Sequence, residues 1–411
     1  MLVQEEVQAG KILTELREAR AESDRLFQML TPEAMYQRPI AQRHRVLFYL
    51  GHLDGFDAIQ ICREGLGMKL SDPNLDDLFQ AGIDPDSSHL PTDTPADWPT
   101  PPQVRAYVDR CRVQVDENLD LAPRDVVLMA LEHRQMHLET LAYMFHNLAH
   151  EYKVQPVQDG PETASARPDE THSWIEIPEG AAVLGQPRDA SFGWDNEFDE
   201  LHQNVAAFRV QRFPVTNGEY LRFVRQGAAM PHFWHSHNSE LFYRGMFEDI
   251  PLPLDWPVSV TQLEAEAYAK FAGGRLLSEA EFHRAAYGTP SRESREYPWG
   301  AAAPSPKFGN FDSKSWDPEP VYSKAAGASA FGVSQLVGNG WEWTNTPFAP
   351  LPGFVARSSY PGYSTNFFDG EHFVMKGGSA RTSARLLRRS FRNWFRPDYP
   401  YVYSKVRCVQ G

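Results

Sequence analysis

The sequence predicts an α+β protein in two parts: a four-helix bundle over residues 1–152, a linker over 153–172, and a mixed helix-and-strand domain over 173–411. Three observations carry this. Apolar residues in the first part recur at helical spacing, and Pro123–Ala149 runs without an internal glycine or proline. Residues 151–172 (EYKVQPVQDGPETASARPDETH) concentrate Pro, Gly, Asp and Glu and have few apolar side chains. After them the texture becomes short apolar segments punctuated by Gly, Pro and Asn.

Taken in order, Leu13, Leu16, Leu26, Phe27 and Leu30 mark one helical face. Thr31-Pro32-Glu33 is a helix start, with threonine as cap and proline in the first turn. Helices are expected over Arg45–Gly65, Val104–Leu119 and Pro123–Ala149. The stretch Ser71–Pro102 is rich in Pro and Asp and too long for a turn, so it is expected to pack over something. Four such helices suit an up-down bundle whose interior can host a metal. In the second part, Trp174–Ile177, Ala206–Phe213 and Phe373–Met375 read as strands. Val215–Arg225 and Thr261–Ala272 read as helices, and Trp341 and Trp343 alternate as on a strand. Gly377-Gly378 calls for close backbone approach or positive φ.

Composition narrows the function. The chain has 411 residues and a formal charge of −14, which gives no electrostatic support for nucleic acid or anionic membrane partners. Cys62, Cys111 and Cys408 are too few and too scattered for a disulfide framework or a thiolate zinc site. No signal-peptide pattern and no run of about 18 apolar residues occurs, so a soluble cytoplasmic protein is expected.

The chemistry concentrates in EHRQMHLET. His133 and His137 stand at i and i+4 on an expected helix, so both imidazoles lie on one face and suit two ligands of one ion. His52, in FYLGHLDGFD, brings a third imidazole on another helix, and His44, two turns earlier, is an alternative. Three nitrogens leave positions open for substrate and O2; Fe(II), Zn(II) or a similar ion would fit. His146 and His150 repeat the spacing beside the linker and are expected to face solvent. In the second part, Asn393-Trp394-Phe395 combines an amide with two aromatic rings, flanked by arginines, and suits a cage for a cationic ligand.

GNGWEWTNT, KGGSARTS and SFRNWF, with the later VR, resemble the formylglycine-generating-enzyme-like domain. The first part, with His52 and the His133–Glu139 motif, resembles the DinB-like helical bundle. In this order the pair resembles the ergothioneine-biosynthesis sulfoxide synthase family, which includes selenoneine synthases. The resemblance implies a DinB-like four-helix bundle followed by a formylglycine-generating-enzyme-like (C-type-lectin-like) α+β domain. It implies Fe(II) on His52, His133 and His137, with O2 used to join a sulfur or selenium donor to imidazole C2 of hercynine. It implies that Asn393, Trp394 and Phe395 bind this betaine; Phe395 stands where some members carry Asp. A tyrosine between the two glycine-rich motifs supplies a proton and electron in some members, and the candidates here are Tyr360 and Tyr363.

Two departures bear on the substrate. The position before the last ligand, often a Gln that binds the imidazole, is Met136; Gln135 is rotated about 100° away. Family members that take cysteine or glutamylcysteine hold the donor carboxylate with arginines after the second helix, yet residues 64–104 contain no arginine and only Lys69 as a base. An uncharged selenosugar needs no such fork, and Asp84, Asp86, Ser87, Ser88 and Asp93 are candidates to bind its hydroxyls. The reading is therefore selenoneine synthase. The alternatives are a sulfoxide synthase forming a C–S bond, with Arg388, Arg389 or Arg396 as carboxylate anchor, and an inactive metal-stabilised binding module. Formylglycine generation is disfavoured because it needs paired cysteines and this half has only Cys408.

Overall fold

The computed structural model describes residues 2–80, 90–156, 173–188 and 192–411, with backbone alone for 2–10. Asp84, Asp86, Ser87 and Ser88, and most of the expected linker, lie outside the described residues. The chain forms two compact units, Met1–Gln158 and Asp159–Gly411.

In the first unit, α1 (Leu2–Gln28), α2 (Val46–Ala58), α4 (Pro101–Asn118) and α5 (Arg124–His146) are the four long helices foreseen. The short α3 (Pro73–Phe79) lies within the Pro/Asp-rich stretch, capped by Asp72, and packs on α2. Helix α1 packs along α5, and α2 lies against α4 and α5. Helix α2 is buried along its whole length and continues as a wide π-helical turn, Ile59–Glu64. Two glycines let neighbours approach it. A Cβ on Gly51 would stand 2.6 Å from the Phe79 ring, and one on Gly55 would stand 2.8 Å from the Tyr107 hydroxyl.

A buried ionic network crosses this core. Arg134 of α5 donates to Asp54 and Asp57 of α2, both at 2.7 Å, and to Ser23 of α1. Arg112 of α4 bridges Asp54 and Asp24 at 3.0 and 2.8 Å. Removing one partner of such a buried pair leaves an uncompensated charge and costs about 3–5 kcal/mol. The network therefore fixes how α5 meets α2. His146 departs from expectation: it is 1 % exposed. The chain folds back over it, and Lys153 donates to its carbonyl at 3.2 Å. His150 is half-buried.

The second unit opens with β1 (Trp174–Ile177), β2 (Gly180–Leu184), β3 (Leu201–Val205) and β4 (Phe208–Gln211). Helix α6 (Asn217–Val224), the strands β5 (Trp234–His237), β6 (Glu240–Arg244) and β7 (Asp249–Pro251), and α7 (Gln262–Phe271) follow. Then come β8 (Arg275–Leu276), α8 (Glu279–Tyr287), β9 (Trp341–Pro347), α9 (Gly362–Thr365), β10 (Phe373–Lys376), β11 (Asn393–Phe395), β12 (Ser404–Lys405) and β13 (Cys408–Gln410). Thr216, Thr261 and Ser278 cap α6, α7 and α8, each answered by a glutamate three residues on.

The described strands form sheets ordered β1-β4-β13-β8, β11-β10-β9-β12, β2-β3 and β5-β6-β7. The aromatic motif sits on β9 at the centre of the second sheet, with Trp343 buried and donating to the Val260 carbonyl at 2.8 Å. Gly377 and Gly378 adopt φ of 93° and 94°. A Cβ on Gly377 would lie 2.1 Å from the Leu336 carbonyl oxygen, so only glycine fits there. Among the described residues no helix is long and apolar enough to cross a membrane.

Candidate metal centre and aromatic site

The three histidines converge. One ligand atom from each of His52, His133 and His137 lies within 4.8 Å of the others. The Nε2 atoms of His52 and His137 are 3.3 Å apart, a spacing that two nitrogens each about 2.1 Å from one ion adopt. Helical spacing places His133 and His137 on one face of α5, and α2 supplies His52 opposite. His44, the alternative, is outside this cluster and stacks on Phe48 at 4.0 Å.

The surroundings select the ligand form of each ring. His52 Nδ1 meets the Phe79 carbonyl at 2.6 Å, a contact that needs a proton on Nδ1 and leaves the Nε2 lone pair facing the cluster. Phe56 stacks on His133 at 3.5 Å, and Phe48 stacks on His52 at 4.9 Å. Burial pushes His52 down to about 4. Burial, then the neighbouring imidazoles, holds His133 and His137 well below the usual histidine range. All three are neutral at pH 7, the state that binds a metal. A convergent trio of neutral imidazoles, two buried and one half-buried, with one tautomer fixed from behind, fits a divalent transition metal.

Around this centre, Met136 is half-buried on α5 beside His137 and offers a thioether where an amide would hydrogen-bond. Asp93 is already engaged: Arg45 Nε at 2.8 Å, Trp98 Nε1 at 2.7 Å and Arg38 all donate to its carboxylate. These contacts hold it down to about 2 and tie its loop to the start of α2, so it is not free to receive a sugar hydroxyl. Two contributors were not foreseen. One is the Phe79 carbonyl, which has no sequence signal. The other is Arg43, just before α2, whose Nη2 donates to the Tyr143 hydroxyl of α5 at 2.9 Å.

In the second unit, β11 forms the edge of its sheet and pairs with β10, Trp394 opposite Val374. Strand alternation sends consecutive rings to opposite faces. Trp394 stacks on Phe348 at 4.1 Å with Tyr363 edge-on at 5.4 Å, while Phe395 stacks on Tyr399 at 5.1 Å. The two rings thus do not form one cage; the partners of Trp394 come from elsewhere in the chain. Asn393 Oδ1 accepts from the Trp394 backbone N–H at 2.9 Å.

Tyr363 lies on α9 and stacks on Trp194 at 3.8 Å. Ser364 anchors that turn by donating to Asp195 at 2.5 Å and accepting from Asn196 at 2.9 Å. Tyr360 is 5.8 Å from Tyr363, and burial raises its phenol. The alternative carboxylate anchors have acidic partners: Arg388 pairs with Glu197, Arg389 with Glu200 at 3.4 Å, and Arg396 with Glu371.

A bundle with three convergent imidazoles is followed in the chain by an α+β unit with glycine-fixed turns and a tryptophan-rich central strand, an arrangement that fits an enzyme with a candidate three-histidine metal site. The family model for the "Sulfatase-modifying factor enzyme 1-like domain" matches residues 160–411. The hercynine oxygenase of Mycolicibacterium thermoresistibile is 33 % identical over 88 % of this chain and 86 % of its own length. That of Mycolicibacterium smegmatis is 32 % identical over 88 % and 89 %. Ergothioneine biosynthesis protein 1 of Neurospora crassa is 27 % identical over 93 % of this chain, which spans 56 % of that longer protein. The chain belongs to the hercynine oxygenase family and is an oxidoreductase.

Proposed function

We propose that this protein is a non-heme Fe(II), O2-dependent enzyme that joins a chalcogen donor to imidazole C2 of hercynine. The observation that carries the reading is the convergent, neutral trio of His52 and His133, both buried, and His137, half-buried. Relatives named hercynine oxygenase supply the substrate. When bound, Fe(II) supplies one-electron redox chemistry and open positions for O2 and a soft donor. The reaction balances when C2–H, the donor S–H or Se–H and O2 give the C–S or C–Se bond, one oxygen atom on the chalcogen, and water.

The chain's own residues do the rest. His52, His133 and His137 hold the ion, and the Phe79 carbonyl keeps the His52 Nε2 lone pair turned inward. Trp394 offers an aromatic face to the trimethylammonium group, which hydrogen bonds cannot recognise. Asn393 and Phe395 flank it on β11, and Met136 lines the imidazole beside His137. Tyr363, stacked on Trp194 and edge-on to Trp394, is favoured over Tyr360 as the proton donor. Cys408 is buried and its thiol is pushed up to about 12, which argues against cysteine-based formylglycine chemistry.

The donor we favour is a selenosugar, because residues 64–104 carry no arginine to hold a carboxylate. The second reading, a C–S bond from cysteine or glutamylcysteine, is favoured by the names of the relatives. A competition assay decides: Fe(II)-loaded protein, hercynine and O2 are mixed with cysteine, glutamylcysteine and a selenosugar, and products are read by mass spectrometry. Preferential selenium adduct supports the first reading and a sulfoxide the second. No adduct with any donor overturns both.

A further inference from the structure

We propose that Arg43 anchors the carboxylate of an amino-acid-derived substrate beside the three-histidine centre; this rests on the functional reading above. Three arginines precede or open α2 within eight positions, and they divide their work. Arg38 and Arg45 both bind Asp93. Arg43 turns the other way, to α5, where its Nη2 donates to the Tyr143 hydroxyl at 2.9 Å and its guanidinium carbon lies 5.9 Å from that ring.

Tyr143 stands seven residues, two turns, beyond Met136 on the same helix, so the guanidinium lies along the α5 edge that carries Met136. Tyr49, one turn before His52, bridges the same ground with its ring 6.0 Å from His137. Arg43 hydrogen-bonds Tyr49 as well as Tyr143.

Charge then decides what this edge receives. Three imidazole ligands would bring no charge to offset that of a divalent ion. Such a pocket favours an anion. A guanidinium binds a carboxylate through two parallel N–H···O bonds, which also orient it. Hercynine carries an α-carboxylate, and so do cysteine and glutamylcysteine. Arg43 thus supplies, from before α2, the anchor missing after it.

The test is calorimetric binding to Co(II)-loaded full-length protein, free of turnover. Hercynine is compared with trimethylhistamine, which lacks the carboxylate, and cysteine with cysteamine. Arg43→Met should weaken a carboxylate-bearing ligand by about 10- to 100-fold and leave its carboxylate-free partner unchanged. Arg43→Lys, which keeps charge but loses the fork, should fall between. The pair that shows the effect identifies the source of the carboxylate.

Equal weakening within both pairs, or no weakening, overturns the assignment. If Arg43→Met fails to fold, the wild-type protein still decides: binding hercynine no more tightly than trimethylhistamine, and cysteine no more tightly than cysteamine, overturns it. Wild-type protein that binds neither hercynine nor trimethylhistamine sinks the functional reading itself. Hercynine binding that survives Arg43→Met intact, with cysteine binding also unchanged, sinks only the role of Arg43.

Discussion

Single side chains set the acid limit of the metal-free protein. His52 and His44 are both held down to about 4, burial being the main cause. An unfolded chain takes up those protons near pH 6.5, whereas the folded chain resists until about 4. Within that window the unfolded state binds more protons, so stability falls as pH falls; above it the contribution is fully present. Each such histidine adds about 1.4 kcal/mol per pH unit to the slope. His44→Phe, placed against Phe48 and Trp98, should reduce the slope of denaturant-derived stability between pH 6.5 and 4 by about that amount. An unchanged slope would mean that His44 is already exposed to protons in the fold.

Elements decide whether those side chains meet. Helix α3 reaches α2 only because Gly51 has no Cβ, and the same contact delivers the Phe79 carbonyl to His52. Gly51→Ala should push α3 outward, release Nδ1 and weaken Co(II) binding by about 10- to 100-fold, as loss of a group behind a metal ligand does elsewhere. Titration of the d–d absorption band reads this directly, and wild-type affinity in Gly51→Ala would remove α3 from the argument.

Much of this level was legible. The i, i+4 pair on α5 follows from helical periodicity, and the short apolar segments expected as strands at Trp174–Ile177 and Phe373–Met375 form β1, Trp174–Ile177, and β10, Phe373–Lys376. The close contacts were not legible. That Phe79, 27 residues after His52, would turn its carbonyl inward is a tertiary fact with no periodic signature. Trp394 and Phe395 looked like one cage because adjacency in sequence reads as adjacency in space, which a strand forbids. His146 looked exposed because it borders the expected linker, yet the returning chain covers it.

Across the whole molecule, the chain divides into its two compact units between residues 158 and 159, within the stretch whose composition reads as a linker. The proposed metal ligands all belong to the first unit and the aromatic site to the second. Metal should therefore act unevenly. Co(II) at about 100 times its dissociation constant stabilises whatever it binds by about 2.7 kcal/mol. Amide hydrogen exchange should slow across Val46–Ala58 and Arg124–His146 and stay unchanged in β9 and β10. The His133→Ala/His137→Ala double variant should show no such gain. Protection spread evenly along the chain would place the ion elsewhere.

The π-helical turn Ile59–Glu64 bears on how this protein tolerates changes in length. A π turn holds one residue more than an α turn, so it behaves as an insertion already absorbed, with its slack stored downstream of His52. Deleting a single residue there lets the coil tighten to ordinary pitch without turning the ligand. Deleting Gln135 instead would swing His133 and His137 about 100° apart from their present alignment, with no slack to recover it. Two deletions of equal size should thus part company, the first binding Co(II) and the second not, and the bundle's permissible lengths are written into one loose coil.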